Sequence, residues 1–149
     1  MIRRVLVVID GFTSAQRVLP WVRRLLAPTG GEVRLLALLP PSGPQVAIGT
    51  RTVAYTHQRE DTERRTREFM LAVLASRLRD DGLQVSVEVR FGDADAVVAA
   101  AREWTAHTIA VVDVPAAGLA RWIKADLVEQ LVRKCALPVL VARAGQRAG

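Results

Sequence analysis

Few side chains in this sequence are of the types that catalyse reactions or bind metal ions. They are two histidines, His57 and His107, and a single cysteine, Cys135. Neither histidine belongs to a cluster of Cys, His and carboxylate residues with metal-site spacing, and a lone cysteine after an amphipathic helix is typical of a small buried residue. Catalysis needs several such groups converging on one point. The sequence therefore predicts no catalytic site and no metal site, and we do not expect an enzyme.

The best candidate for ligand contact is Asp10, which with Gly11 follows the apolar run Val5–Ile9. A continuous β-branched and aliphatic run is typical of a central strand in a parallel sheet, because both faces of that strand are buried. Ligands of doubly wound sheets bind beyond the carboxyl ends of the strands, where the winding reverses. Asp10 and the segment after Val112 therefore lie where a ligand is expected, although Asp10 serves equally well as a turn residue or helix cap.

Length and composition restrict the class of protein. With 149 residues, half of them hydrophobic, the chain suits one domain, and we assign residues 1–144 to it and residues 145–149 to a basic tail. The net charge of +6 comes from arginines spread along the chain, and aromatic residues make up only 5%, so nucleic-acid binding is not expected. No apolar stretch approaches the roughly 18 residues of a membrane span. With one cysteine and no signal peptide, we expect a cytoplasmic protein.

The hydrophobic pattern predicts five strands that alternate with helices. The predicted strands are Val5–Ile9, Val33–Leu39, Leu83–Val89, Thr108–Val112 and Val139–Ala142. The predicted helices start after Thr13 or Ser14, at about Thr56, after Gly92–Asp93, and at an N-cap formed by Asp126 with Glu129 as its capping-box partner. Such alternation with right-handed crossovers gives an α/β fold, a doubly wound and mainly parallel five-stranded sheet with helices on both faces.

Prolines, glycines and local alternation add predictions about the first helix and the third strand. Pro20 should kink the first helix or delay its start, and Pro28 with Gly30 and Gly31 should end it. The segment 40–55, rich in Pro, Gly and Ser, is predicted to be a loop. Residues 83–89 alternate between apolar and polar side chains, which indicates an edge strand with one wet face.

The remaining helices differ in how polar they are. The second helix begins almost wholly polar, which predicts a surface that faces solvent or a partner, and its later apolar face is Phe69, Met70, Val73, Leu74 and Leu78. The last helix is marked by Trp122, Ile123, Leu127, Leu131 and Val132. All three tryptophans, Trp21, Trp104 and Trp122, fit a core better than an interface.

Over nearly its full length the chain resembles the universal stress protein family. The landmarks are Val8-Ile9-Asp10-Gly11, the exit Pro40-Pro41 after the second strand, Gly92, and the closing segment Val132 to Val141. The resemblance implies the strand order 3-2-1-4-5 and a homodimer joined along the fifth strands. It also implies that Asp10 would contact the adenine or ribose edge of a nucleotide, with Leu38 and Val111 lining the base pocket.

The chain departs from the ATP-binding members of that family. Their pattern Gly-x2-Gly-x9-Gly-Ser/Thr falls here on Val112, Pro115, Ala125 and Asp126. A phosphate cradle needs backbone N–H groups that no Cβ obstructs, and Pro115 has no N–H. A carboxylate at 126 repels phosphate oxygens and donates no hydrogen bond when ionised. ATP binding of the family type is therefore disfavoured, and no cofactor is expected.

Two functions remain open. The first is a homodimeric regulatory module without family-type ATP binding, in which Val139, Leu140 and Val141 pair with the same strand of a second subunit and the protein partner is unknown. The second is an adenine-nucleotide sensor that uses Asp10, Gly11 and an altered loop to hold AMP or a cyclic nucleotide. A nucleotide hydrolase would need a general base, a metal cluster or a phosphate cradle, and the sequence offers none of these.

Overall fold

The computed structural model describes residues 1–9, 12–39, 50–113 and 119–143. In this part of the chain five strands and four helices alternate, as the sequence predicts. They are β1 (Arg4–Ile9), α1 (Phe12–Leu26), β2 (Glu32–Leu39), α2 (Thr50–Asp80), β3 (Gln84–Phe91), α3 (Ala94–Trp104), β4 (Thr108–Asp113), α4 (Leu119–Lys134) and β5 (Val139–Arg143). Among these helices, none is long and apolar enough to cross a bilayer.

The five strands form one sheet in the order β3-β2-β1-β4-β5, and every neighbouring pair is parallel. This confirms the predicted fold class, and it places the third strand at an edge. From β1 the chain winds to β2 and β3 on one side and later to β4 and β5 on the other. The winding therefore reverses at β1, and the carboxyl ends of β2 and β4 flank the carboxyl end of β1.

The core has two layers, one on each face of the sheet. Val5, Val7 and Ile9 of β1 pack with α1 and α2, whereas Leu6 and Val8 pack with α3 and α4. Side chains alternate across a strand, so a strand covered on both faces is apolar at every position. The continuous run in β1 is explained by this burial.

The start of α1 differs from the prediction. The helix begins at Phe12, so Thr13 and Ser14 lie within its first turn and neither is its N-cap. Pro20 lies inside the helix and does not delay its start. A proline removes one hydrogen bond from the helix ladder, but the apolar stripe of Val18, Leu19, Val22 and Leu26 is buried against the sheet, and tertiary packing supplies most of a helix's stability.

The helix α2 is longer than predicted, and its buried face coincides only in part with the predicted apolar face. It begins at Thr50, so residues 50–55 are helical instead of part of a loop, and residues 40–49 lie outside the described residues. Phe69 is 74% exposed, and the buried stripe is Met70, Leu71, Leu74, Ala75 and Leu78. Phe69 was predicted to lie on the apolar face because a large aromatic side chain contributes strongly to a hydrophobic pattern. The exposed or half-buried residues 58–69 confirm a polar first part.

The last helix also begins earlier than predicted. Because α4 starts at Leu119, Asp126 lies in its interior, and the predicted N-cap at this residue is wrong. Further along, Leu131 is fully buried, whereas Val132 is 59% exposed, although both were assigned to the apolar face. Because adjacent residues of a helix point about 100° apart, one of them can face the sheet while the next faces solvent.

Candidate functional site at the carboxyl edge of the sheet

Two residues predicted to line a base pocket lie on the same face of the sheet. Val111 of β4 is 3% exposed, and half-buried Leu38 of β2 packs against the same cluster, between the sheet and the helices α3 and α4. Val8 and Leu36 belong to that cluster as well. The strand order thus brings residues 73 positions apart in sequence, Leu38 and Val111, to either side of the central strand.

The register locates this pair relative to the end of β1. Ile9 lies opposite Ala37, and Val7 lies opposite Ala110, so Leu38 and Val111 each follow a residue paired with β1. Asp10 and Gly11, which come next in the chain, lie outside the described residues. The described side chains at this place are aliphatic and provide no hydrogen bond to a ligand.

The start of α3 fixes one border of this edge. Gly92 has φ +144°, and a Cβ there would lie 2.8 Å from the Cβ of Ala96, so glycine is required on both counts. Its N–H donates to the carbonyl of Leu39 at 2.9 Å. Asp93 is the N-cap of α3, since its Oδ1 accepts from the N–H of Asp95 at 3.0 Å. Asp95 instead pairs with Nζ of Lys134 at 3.1 Å.

A charged network, which the sequence did not predict, covers the adjacent part of this face. Arg90, opposite Leu38 in the register, bonds to both Glu88 and Glu103. Nε of Arg34 donates to Oγ of Ser86 at 2.9 Å. The only sequence signal was the alternation of polar residues in β3, which predicted a wet face.

The tryptophan of α3 forms the inner border of this network. The guanidinium of Arg34 lies 5.0 Å from the ring centroid of Trp104, within cation–π distance. Trp104 is half-buried and packs at the rim of the α3–α4 layer, and half-buried Trp21 packs at the rim of the other layer. The side chain of Trp122 lies outside the described residues.

The ion pair of Arg90 and Glu103 changes the pKa of both groups. The hydrogen bond from Arg90 lowers the pKa of the Glu103 carboxyl, and its positive charge adds to the effect. Hydrogen bonds to Glu103 and then Glu88 raise the pKa of the Arg90 guanidinium. Both shifts favour the charged forms, so the pair is intact at neutral pH.

A pH-dependent contribution to stability follows from the lowered pKa of Glu103. The Glu103 carboxyl binds a proton more readily in the unfolded state than in the folded state, so the ion pair stabilises the fold above the ordinary glutamate pKa of about 4.3. This stabilisation is lost as the pH falls through the lower pKa that Glu103 has in the folded state. We expect Glu103→Gln to reduce the free energy of unfolding at neutral pH, and the deficit to shrink below about pH 4. Urea unfolding at a series of pH values measures this deficit.

Exposed Glu68 on α2 offers a matched control for that series. Glu68→Gln removes the same charge without touching Arg90, and its difference from the wild-type protein should stay small throughout. A Glu103→Gln deficit that persisted unchanged into acid would contradict the assignment.

The described side chains of His107 and Cys135 lie away from this edge. Exposed His107 precedes β4, and its Nδ1 accepts from the backbone N–H groups of Arg3 at 2.9 Å and Arg4 at 3.2 Å, which ties β1 to the α3–β4 turn. Sγ of half-buried Cys135 accepts from the N–H of Leu137 at 3.4 Å. The side chain of His57 lies outside the described residues. Where side chains are described, no group of three or more His, Cys, Asp and Glu residues is arranged to hold a metal ion.

The strand predicted to join two subunits lies at an edge of the sheet. Val139, Leu140 and Val141 of β5 are all half-buried. The N–H of Ile109 bonds to the carbonyl of Pro138 at 3.2 Å. In a parallel ladder, alternate residues direct both backbone groups to the same side. Residues 138, 140 and 142 therefore face β4, whereas Val139 and Val141 direct their N–H and C=O groups to the open edge.

Comparison with known proteins adds the family. A model of the universal stress protein family matches residues 1–143. No curated protein matches the sequence.

Several solved structures share the fold. Hypothetical protein MJ0577 superposes with a TM-score of 0.81 at 18% identity, over 99% of both chains. A universal stress protein in complex with cAMP superposes with a TM-score of 0.64 at 18% identity, over 97% of this chain and 98% of that one. A universal stress protein of Archaeoglobus fulgidus in complex with dAMP gives a TM-score of 0.61 at 16% identity, over 95% and 98%. At such identities the likeness shows the fold alone.

Proposed function

Because the chain belongs to the universal stress protein family, we propose that it is a homodimeric regulatory module that works by recognition and does not hold ATP in the manner of the ATP-binding members. The proposal has three parts: a subunit interface along β5, a loop unsuited to binding a triphosphate, and a protein partner that binds the dimer. The first part rests on structure and the second on sequence. The partner remains to be identified by experiment.

The observation that carries the proposal is the open edge of β5. Val139 and Val141 present backbone donors and acceptors that no neighbouring strand in the sheet uses. An unpaired edge is a template for another strand, and pairing with the same strand of a second copy would satisfy both edges in one isologous contact. The half-buried apolar side chains of β5 would be covered further in such a dimer.

The second part concerns the loop between β4 and α4 together with Asp126, which lies within α4. Residues 114–118 lie outside the described residues, but their residue types still determine what they can offer a ligand. Pro115 offers no N–H to a phosphate, and Asp126 adds a negative charge where the ATP-binding pattern has a hydroxyl. Each change weakens the binding of an anion that carries several charges.

A second candidate function is the sensing of an adenine nucleotide with few phosphates. Two observations favour it: Leu38 and Val111 share one face at the carboxyl edge, and proteins of the same fold are in complex with cAMP and dAMP. Asp10 would hold the base or ribose, and the weak phosphate loop would disfavour ATP. This candidate is compatible with the homodimer.

Titration calorimetry with ATP, AMP and cAMP decides between the two functions. The proposal predicts no saturable heat with ATP. If the second candidate holds, AMP or cAMP binds, and Asp10→Ala weakens that binding at least about tenfold, since a hydrogen bond to a carboxylate contributes roughly 1.5–3 kcal/mol. Mass spectrometry of the purified protein checks for a ligand that is already bound.

Exposed Asp80, at the end of α2, provides the matched control. Asp80→Ala removes an aspartate of the same charge at the opposite edge of the sheet and should leave any nucleotide affinity unchanged. Saturable ATP binding that Asp10→Ala abolishes would overturn the proposal that ATP is not held.

A further inference from the structure

The sheet has a second edge, along β3, whose backbone pairing follows from two hydrogen bonds. The N–H of Gln84 bonds to the carbonyl of Gly31 at 3.4 Å, and the N–H of Gly92 bonds to the carbonyl of Leu39 at 2.9 Å. Even-numbered residues of β3 thus face β2, and odd-numbered residues direct their backbone groups outward. The outward residues are Val85, Val87, Val89 and Phe91.

An arginine of α2 occupies the first outward acceptor of this edge. Nη2 of Arg79, in the last turn of α2, donates to the carbonyl of Val85 at 2.8 Å. A short turn connects α2 to β3, and Gly82 in this turn has φ +86°. The N–H of Gly82 donates to the carbonyl of Arg79 at 2.9 Å, and the N–H of Leu83 donates to the carbonyl of Leu78 at 3.3 Å. The turn therefore holds the exposed guanidinium beside the edge.

Beyond Val85, the residues of β3 that direct their backbone groups outward are apolar, and the central one is exposed. Val87 is 41% exposed at the middle of the strand. At the far end the guanidinium of Arg64, also from α2, lies 5.3 Å from the ring centroid of Phe91. An unpaired edge strand invites pairing with other chains, and charged side chains at the edge are a common protection against it.

We propose that Arg79 closes the β3 edge against strand addition, so that self-association by strand pairing is confined to the opposite edge. An incoming strand would need the Val85 carbonyl as an acceptor, and it would have to displace a charge-assisted hydrogen bond and bury a guanidinium. This protection concerns β3 alone and does not require the β5 homodimer.

The test is the molar mass of Arg79→Met, measured by size-exclusion chromatography with light scattering over a range of concentrations. Methionine replaces the unbranched stem of the arginine side chain, without the guanidinium, and removes every donor. We expect the mass of the variant to at least double relative to the wild-type protein as concentration rises, because an isologous contact through β3 joins two particles of whatever size the wild type has. Arg79→Lys, which keeps a charge and a donor, should retain the wild-type mass.

Two further variants make the result specific. Arg77→Met removes an exposed arginine from the same turn and should keep the wild-type mass. Val87→Pro, placed in the Arg79→Met protein, removes only an N–H that faces outward and should restore the wild-type mass. Wild-type mass for Arg79→Met at every concentration, equal association of Arg77→Met, or association that Val87→Pro leaves intact would each overturn the inference.

The folded state of each variant is checked by circular dichroism and thermal melting. If Arg79→Met does not fold, Arg79→Gln replaces it, since glutamine is too short to reach Val85 but is tolerated in an exposed helix turn. Failure of the β5 homodimer would appear instead as a monomeric wild-type protein. The two ideas can therefore fail separately.

Discussion

Val141→Pro is expected to convert the protein from dimers to monomers without unfolding it. The N–H of Val141 faces the open edge of β5, so proline removes a hydrogen bond from the proposed interface and none from the β4–β5 ladder. An isologous interface loses this bond twice. At about 1.5 kcal/mol each, the loss is about 3 kcal/mol, a weakening of the dimer by roughly a hundredfold. Light scattering on the purified variant measures the result.

The same substitution on the other edge is the control. Val87→Pro also removes an outward N–H from an edge strand, but from β3, and it should leave the mass unchanged. A Val141→Pro protein that remained dimeric would exclude the β5 interface, and a wild-type protein of monomeric mass would exclude the homodimer altogether.

Gly31→Ala is expected to destabilise the fold strongly, although it adds only one methyl group. A Cβ at Gly31 would lie 2.4 Å from the carbonyl oxygen of Arg3 and 2.8 Å from Cδ2 of Leu26. That carbonyl accepts the N–H of Glu32 at 2.7 Å, so it cannot move away without weakening the start of β2. Backbone overpacking of this kind costs about 3 kcal/mol, or roughly 6–12 °C in Tm for a chain of this size. Thermal unfolding followed by circular dichroism provides the measurement.

A substitution at neighbouring Gly30 distinguishes the effect of steric crowding from that of conformational strain. Gly30 has φ +60°, its N–H bonds to the carbonyl of Leu26 at 2.9 Å, and a Cβ there would meet nothing within 4 Å. Gly30→Ala should cost only about 1 kcal/mol, the penalty of a left-handed conformation. Equal losses for the two alanine variants would show that close approach at Gly31 is not the dominant effect.

The sequence by itself determined the order and type of the elements. The continuous apolar run of β1 and the alternation in β3 arise from which faces of each strand are covered, and that coverage is set by the fold class. Alternation and right-handed crossovers predict a mainly parallel sheet with helices on both faces, and the strand order was implied by the family resemblance. These signals are local or repeated along the chain, so they can be recognised without knowledge of the tertiary contacts.

For the candidate site, the sequence predicted a place at the carboxyl edge of the sheet and little of the surrounding detail. Leu38 and Val111 lie on one face, as the family resemblance implies, while Asp10 and Gly11 lie outside the described residues. The network around Arg90 was not predicted, because its partners come from β3 and α3, and only folding brings them within hydrogen-bond distance.

Only the tertiary structure decided the ends and phases of the helices and the state of the two sheet edges. Whether Phe69 or Leu71 faces the sheet depends on a rotation of about 100° per residue, which packing sets and a hydrophobic pattern resolves poorly. Likewise the bond between Arg79 and Val85 depends on which β3 residues direct their carbonyls outward, a parity fixed by pairing with β2. The periodicity of apolar residues can be recognised in the sequence. Which residues of a strand direct their backbone groups outward, and which side chains meet, is established only when the strands pair.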